Sequence, residues 1–225
     1  MTLRNNARVA GFAFLVYIAV SLAGMFLAGS ASRGDGDAAR LANMAAHAGA
    51  LRLALLFDLV GCFCALVLAV TLWALTREVD RDLALLAAAC RIGEGVTGAL
   101  SLPRGAARLW LATQAGALDP AASGALAAVL LRLPSWSMEI GSTLFSVGSL
   151  VFAWLLWRGR MVPAALAGLG VIASLLTTVC LPLQLVGLLG RPVTDLMWIP
   201  MLVYEVWLAL RLIVRGASTG SRSAA

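Results

Sequence analysis

Six runs of about twenty mostly apolar residues decide what this chain can fold into, because that is the helix length needed to cross a bilayer's hydrocarbon core. They are Val9 to Ala28, Leu51 to Leu75, Leu83 to Leu102, Ser137 to Trp157, Ala164 to Leu188 and Leu196 to Val214. The chain is 61% hydrophobic with a mean hydropathy of +0.93. Soluble domains hold ~45–50% apolar residues, and a soluble protein could not cover this much apolar surface with its own polar groups. Hydrocarbon offers no hydrogen bonds, so each span must satisfy its backbone internally as a helix. The expected fold is all-α: one membrane domain, a polytopic transmembrane bundle of six helices, followed by a disordered cytoplasmic tail at 216–225. Arg4, Arg8 and the small residues Gly29-Ser30-Ala31 give the first run some likeness to a signal peptide. Signal h-regions are shorter, ~7–15 residues, so the run is read as a span.

All 17 basic residues are arginine, and the net charge is +6. The arginines stand singly or in pairs at the ends of apolar runs rather than as a basic stripe, which points to topology and not to a nucleic-acid partner. Alternating spans place Arg4, Arg8, Arg77, Arg81, Arg158, Arg160, Arg211, Arg215 and Arg222 on one side. The other side receives Arg33, Arg40, Arg52, Arg104, Arg108, Arg132 and Arg191. The first set sits in short connections, where the positive-inside rule applies. Both termini are therefore expected in the cytoplasm, with the lipid bilayer as the one certain partner.

Two connections on the other side are long. Ser30 to Ala50 carries Asp35 and Asp37 ahead of Leu41, Met44, Ala45 and Ala48, an amphipathic spacing with an acidic start. Pro103 to Trp136 holds Asp119-Pro120, an N-cap followed by proline at the first helical position, and then Leu126, Val129, Leu130 and Leu133 on one face. These read as two short amphipathic helices on the outer face. Small-x-x-x-small pairs, Gly95 with Ala99 and Ala164 with Gly168, permit close helix contact. Pro182 and Pro200 are expected to kink the fifth and sixth spans.

Charges inside spans carry the functional information. Asp58 lies in the second span, Arg91 and Glu94 in the third, Glu139 in the fourth and Glu205 in the sixth. Each would cost ~2.5–3.5 kcal/mol facing lipid at mid-depth, so they are expected to face inward and find partners. Arg91, Glu94, Gly98 and Ser101 share a face, and Arg91 with Glu94 is an i,i+3 opposite-charge pair. Similar polar stripes are Glu139, Ser142, Ser146 and Ser149, and Gly170, Ser174, Thr177 and Gln184; Asp58 shares a face with Gly61, Cys62 and Ala65. At 1.5 Å per residue, Arg91 and Glu205 fall near mid-depth, Glu94 slightly outward, and Asp58 and Glu139 about 9–12 Å outside the centre. With Arg52 at the rim, the set reads as a polar pocket opening outward, with more acid than base.

Three readings follow. The pocket binds or transports a small polar or cationic solute, or protons; or the charges only fix helix packing; or they serve an enzyme within the membrane, with Glu94 or Asp58 as acid or base. No cofactor or metal is expected. His47 is the only histidine, and Cys62, Cys64, Cys90 and Cys180 fall inside apolar runs without metal spacing. No G-x-x-x-x-G-K, G-x-S-x-G or H-E-x-x-H occurs. Trp73, Trp136, Trp157 and Trp198 sit near span ends, as interfacial anchors do.

The chain resembles the bacterial domain-of-unknown-function family 4386, small integral membrane proteins of about this length. The likeness runs from Arg8-Val9-Ala10-Gly11 through Gly36-Asp37-Ala38-Ala39 with Asn43, Leu51-Arg52 and Phe57-Asp58. It is strongest from Glu78-Val79-Asp80-Arg81 into Leu83-Ala84-Leu85-Leu86-Ala87-Ala88-Ala89-Cys90-Arg91. Later come Gly141-Ser142, Trp157-Arg158 with Pro163, and Glu205 with Trp207-Leu208-Ala209-Leu210 and Arg215-Gly216. Cys90 stands where the family pattern has phenylalanine. The resemblance implies a bacterial cytoplasmic membrane location and brings no established activity.

Overall fold

The computed structural model describes residues 2–114, 117, 119–132, 136–190 and 196–217. They form eight helices and no strand: α1 (Leu3–Ala31), α2 (Asp37–Ala46), α3 (Ala48–Thr76), α4 (Arg81–Gln114), α5 (Pro120–Arg132), α6 (Trp136–Arg158), α7 (Ala164–Leu185) and α8 (Trp198–Arg215). Of the expected features, Leu133, Arg191, Arg222 and the tail from residue 218 lie outside the described residues.

Local chemistry sets several boundaries. Thr2 Oγ1 accepts from the Asn5 amide at 3.3 Å and starts α1. Asp119 Oδ2 caps α5 by accepting from Ala121 and Ala122 at 3.0 and 3.2 Å. Asp80 Oδ1 accepts from the Leu83 amide at 3.1 Å at the entry to α4. Gly216, at φ 69°, stops α8 in a conformation that favours glycine.

Six long helices close into a ring. α1 packs on α3, α3 on α4, α4 on α6, α6 on α7, α7 on α8, and α8 returns to α1. α4 lies across the ring from α1 and α8, so side chains alone fill the middle. Phe14, Leu68, Leu72, Phe145, Phe152, Leu166, Met201, Tyr204 and Leu208 belong to that core. At the seams, glycines admit close approach: Gly95 faces the Cys62 carbonyl, Gly148 the Ala87 carbonyl, and Gly170 the Tyr204 ring. The small-residue pairs behave unevenly. Ala99 and Ala164 are exposed, and a Cβ on Gly168 would meet nothing within 4 Å.

One end of the ring holds the short turns between α3 and α4 and between α6 and α7, joined by Arg158 and Asp80 at 3.2 Å. The opposite end is capped. There α2, α5 and the far part of α4 enclose a second core of Leu41, Met44, Leu51, Leu111, Ala112 and Ala127. Asn43 Nδ2 donates to the Ser30 and Ala31 carbonyls at 3.1 and 3.0 Å, occupying acceptors that the end of α1 leaves open. Arg132 reaches Asp37 at 2.8 Å, and Arg104 and Arg108 both donate to the Leu130 carbonyl.

Several expected boundaries move. α4 does not end at Leu102; it runs through Pro103, whose ring lies on an exposed side, and continues to Gln114. Its 34 residues span about 51 Å by the helical rise, more than a hydrocarbon core of ~30 Å. Its final turns therefore build the cap. α7 ends at Leu185 rather than Leu188, and Gly187 follows at φ 77°. Pro200 does not kink the sixth span: it sits in the first turn of α8, where its missing N–H would have no intrahelical partner. On α5, Ala127, Leu130 and Leu131 pack inward while Leu126 and Val129 are exposed, so the packed face is not the one the leucine spacing selected.

Among the described residues, five segments are long and apolar enough to cross a membrane: α1, α3, α4, α7 and one within Ala121–Arg158. α8 is not among them, carrying Glu205, Arg211 and Arg215 in 18 residues.

Candidate functional site: a guanidinium and two carboxyls inside the ring

Arg91 stands at the centre of the ring, 1% exposed, and is among the largest fully buried side chains. Its position on α4 turns it away from lipid, because Ala84, Ala87, Ala88, Glu94 and Gly95 bury the same side of the helix. Gly148 on α6 leaves the space its stem occupies: a Cβ there would approach Arg91 Cγ at 3.4 Å. Three aromatic rings surround the guanidinium, Phe145 at 4.8 Å, Tyr17 at 5.5 Å and Phe14 at 6.0 Å from Cζ to ring centroid. Each negative ring face attracts the cation, by ~0.5–2 kcal/mol depending on desolvation.

Glu94, 7% exposed, is the direct counter-charge: its Oε2 lies 3.0 Å from Arg91 Nη1. The other oxygen, Oε1, accepts a short 2.6 Å hydrogen bond from the Tyr17 hydroxyl on α1. Tyr17 thus joins α1 to α4, whose backbones do not pack on each other, using its ring against Arg91 and its hydroxyl against Glu94. Glu205 on α8 is 5% exposed, and its Oε1 is buried without a hydrogen-bond partner. Glu94, Glu205, Tyr17 and Tyr204 all lie within electrostatic reach of Arg91. The sealed part of the site therefore sets one guanidinium against two carboxyls.

The remaining site residues lie elsewhere. Asp58 is exposed, Glu139 half-buried and Arg52 exposed, and none of the three side chains makes a hydrogen bond or ion pair among the described residues. Asp58 Oδ1 sits beside Gly24 of α1, where a Cβ would approach it at 3.5 Å. One turn deeper, Cys62 faces Gly98 of α4 and Gly61 faces Tyr17, so this face of α3 leads from Asp58 toward the sealed group. By the helical rise, Arg91 and Glu205 are about 15 Å from the basic ends of their helices, Glu94 and Tyr17 about 20 Å, and Asp58 and Glu139 about 27–28 Å. The acids form a ladder in depth, from the capped end to mid-ring.

Half of the hydroxyls in the polar stripes close on their own helices: Ser101 donates to the Gly98 carbonyl, Ser146 to Ser142 and Thr177 to Ala173 and Ser174. Thr97, outside the stripes, donates to the Gly93 and Glu94 carbonyls. Ser174 Oγ and Thr178 Oγ1 are buried without partners. Trp198 stacks at 6.0 Å on Phe145, behind the guanidinium, so it supports the site from a span end. The aromatic cage of Phe14, Tyr17 and Phe145 is not legible in the sequence. Its signal was the Phe14/Tyr17 i,i+3 pair, with a hydroxyl in an otherwise plain span. Among the described residues, no group of three or more His, Cys, Asp or Glu could hold a metal ion.

The ring and its sealed charges define an all-helical protein of multi-pass membrane type, built around an internal polar network. The chain belongs to the family described as Domain of unknown function (DUF4386), which matches residues 9–216. No curated protein and no solved structure matches it.

Proposed function

We propose that this is a six-span protein of a bacterial cytoplasmic membrane that binds and transports a small cation, the proton included, through a polar pocket that opens at its capped face and reaches the centre of its ring. The observation that carries this reading is the charge imbalance around Arg91: one buried guanidinium faces two buried carboxyls, Glu94 at 3.0 Å from its Nη1 and Glu205, whose Oε1 has no hydrogen-bond partner. An intramembrane carboxyl without its own counter-charge is a site for a proton or a small cation. Asp58 and Arg52, exposed toward the capped end, and half-buried Glu139 form the mouth. Glu94 and Glu205 are the inner stations. α8 acts as the sixth span because its charge is confined: Glu205 faces inward, Arg211 and Arg215 sit in its final turns, and exposed Leu202, Val203, Trp207, Leu210 and Val214 face lipid. The short basic turns lie in the cytoplasm with both termini, and α2 and α5 cover the outside.

Proteoliposomes with an internal pH dye, under an imposed gradient of protons or of a monovalent cation, test this. Glu205→Gln is expected to remove the flux while keeping the helical content and unfolding temperature of the parent. Unchanged flux in Glu205→Gln and Arg91→Ala alike would leave the purely structural reading in its place. That second reading has its own support in the three-ring packing of Arg91, which ties α4 to α1 and α6.

A further inference from the structure

We propose a second site, at the basic end, where two grooves flanking the start of α7 hold the headgroup of an anionic phospholipid. The first groove lies between the end of α6 and the start of α7 and is lined by Trp154, Trp157, Arg158 and Arg160. The second lies between α7 and α8 and is lined by Pro163, Trp207, Arg211 and Arg215. Each sets exposed indole beside two guanidinium groups, the pairing of amphipathic ring and cation that suits the headgroup layer.

Within each groove one arginine is committed and one is not. Arg158 pairs with Asp80 at 3.2 Å, and Arg211 donates to the Gly216 carbonyl at 3.0 Å. The guanidinium groups of Arg160 and Arg215 make no hydrogen bond or ion pair among the described residues. Arg160 is also the one non-glycine residue there with positive φ, 52°, a conformation uncommon for a side chain of this size. No acid stands in the first turn of α7 to compete for these cations. Leu210 and Val214 continue the second groove as exposed apolar surface, a track on which an acyl chain can lie. A phosphodiester with an attached acyl chain satisfies both halves of this surface, whereas a soluble anion satisfies only one.

The site is independent of the Arg91 network, so either proposal can fail alone. Native mass spectrometry of the detergent-purified full chain, titrated with phosphatidylglycerol, phosphatidylcholine or inorganic phosphate, reads lipid retention directly. The parent is expected to retain phosphatidylglycerol in preference to phosphatidylcholine. Arg160→Gln and Arg215→Gln should each weaken retention roughly fivefold, and together about thirtyfold, on the scale of an arginine near an anionic surface. A double Arg77→Gln/Arg81→Gln control, at the same end but outside the grooves, should stay close to the parent. Equal loss in the control would mean a diffuse basic surface and overturn the site. So would equal retention of phosphatidylcholine, or displacement of the lipid by inorganic phosphate.

Discussion

Replacing Arg91 by methionine separates what its charge does from what its bulk does, since methionine keeps an unbranched apolar stem between the same aromatic rings. The guanidinium is 1% exposed, so water cannot replace it. Its loss strands Glu94, whose Oε2 faces Arg91 Nη1 at 3.0 Å, and leaves Glu205 without a nearby cation. Breaking one side of a buried pair costs ~3–5 kcal/mol, because the remaining charge is uncompensated. Against a whole-domain stability of ~5–15 kcal/mol, that is a large effect. Adding Glu94→Gln should reverse a large part of it. The amide oxygen still accepts from Tyr17, now 2.6 Å from Glu94 Oε1, and the Glu94 charge is gone, which leaves Glu205 as the one buried carboxyl without its cation. Neutral replacement of both partners of a buried pair is often close to cost-free, so the double variant should be ~2 kcal/mol or more better than Arg91→Met alone. Unfolding of detergent-solubilised protein, followed by circular dichroism against SDS fraction, measures all four corners of the cycle. A double variant as unstable as Arg91→Met would refute the electrostatic account and make Arg91 a packing residue held by its three rings.

The exposed mouth and the sealed interior can be told apart by labelling, after the four native cysteines are replaced by serine. Cysteine at Asp58 is expected to react with a membrane-impermeant maleimide from the capped side, and cysteine at Glu205 to resist it; equal rates at both positions would show that the inner carboxyl is not sealed. In the cap, Asn43→Ala removes two hydrogen bonds to the end of α1 and should cost ~1–2 kcal/mol locally. Hydrogen exchange should then rise across residues 31–46 and stay unchanged around Arg91, whereas a rise throughout the ring would mean that cap and ring unfold as one unit.

How much the sequence disclosed depends on the range of the interaction involved. Apolar length marked out α1, α3 and α7, because hydrocarbon imposes its demand on each segment separately. Spacing within one helix likewise sufficed to put Arg91 beside Glu94. Facts that need a second helix were less legible. Asp58 shares its face with buried Gly61 and Ala65 yet is itself exposed, since depth along the ring, not facing alone, decides burial. Tyr17 is not legible within its own span, because its importance lies wholly in what α4 presents to it. Pro103 marked the end of a span, but a proline on an exposed side removes one hydrogen bond without halting the helix, and α4 runs on to build the cap. Gly168 shows the same limit from the other direction: its small-x-x-x-small spacing is correct, but a Cβ there would meet nothing within 4 Å.

That last contrast gives a test of ring closure by sign as well as size. A Cβ on Gly11 of α1 would stand 2.7 Å from the Ala209 carbonyl oxygen and 2.7 Å from Ile213 Cγ1 on α8, while one on Gly168 would meet nothing within 4 Å. The Ala209 oxygen is backbone and can yield only if α8 moves, so Gly11→Ala should cost ~1–3 kcal/mol through overpacking. Gly168→Ala should instead gain up to ~0.5–1 kcal/mol by improving helix propensity alone. Gly11 lies one turn from Phe14 and two from Tyr17, so pushing α1 outward also pulls the Tyr17 hydroxyl away from Glu94. Cation flux should therefore fall in Gly11→Ala and persist in Gly168→Ala. If both alanines shift stability in the same direction, the α1–α8 seam does not hold the ring shut, and the sealing of the site must come from the side chains around Arg91.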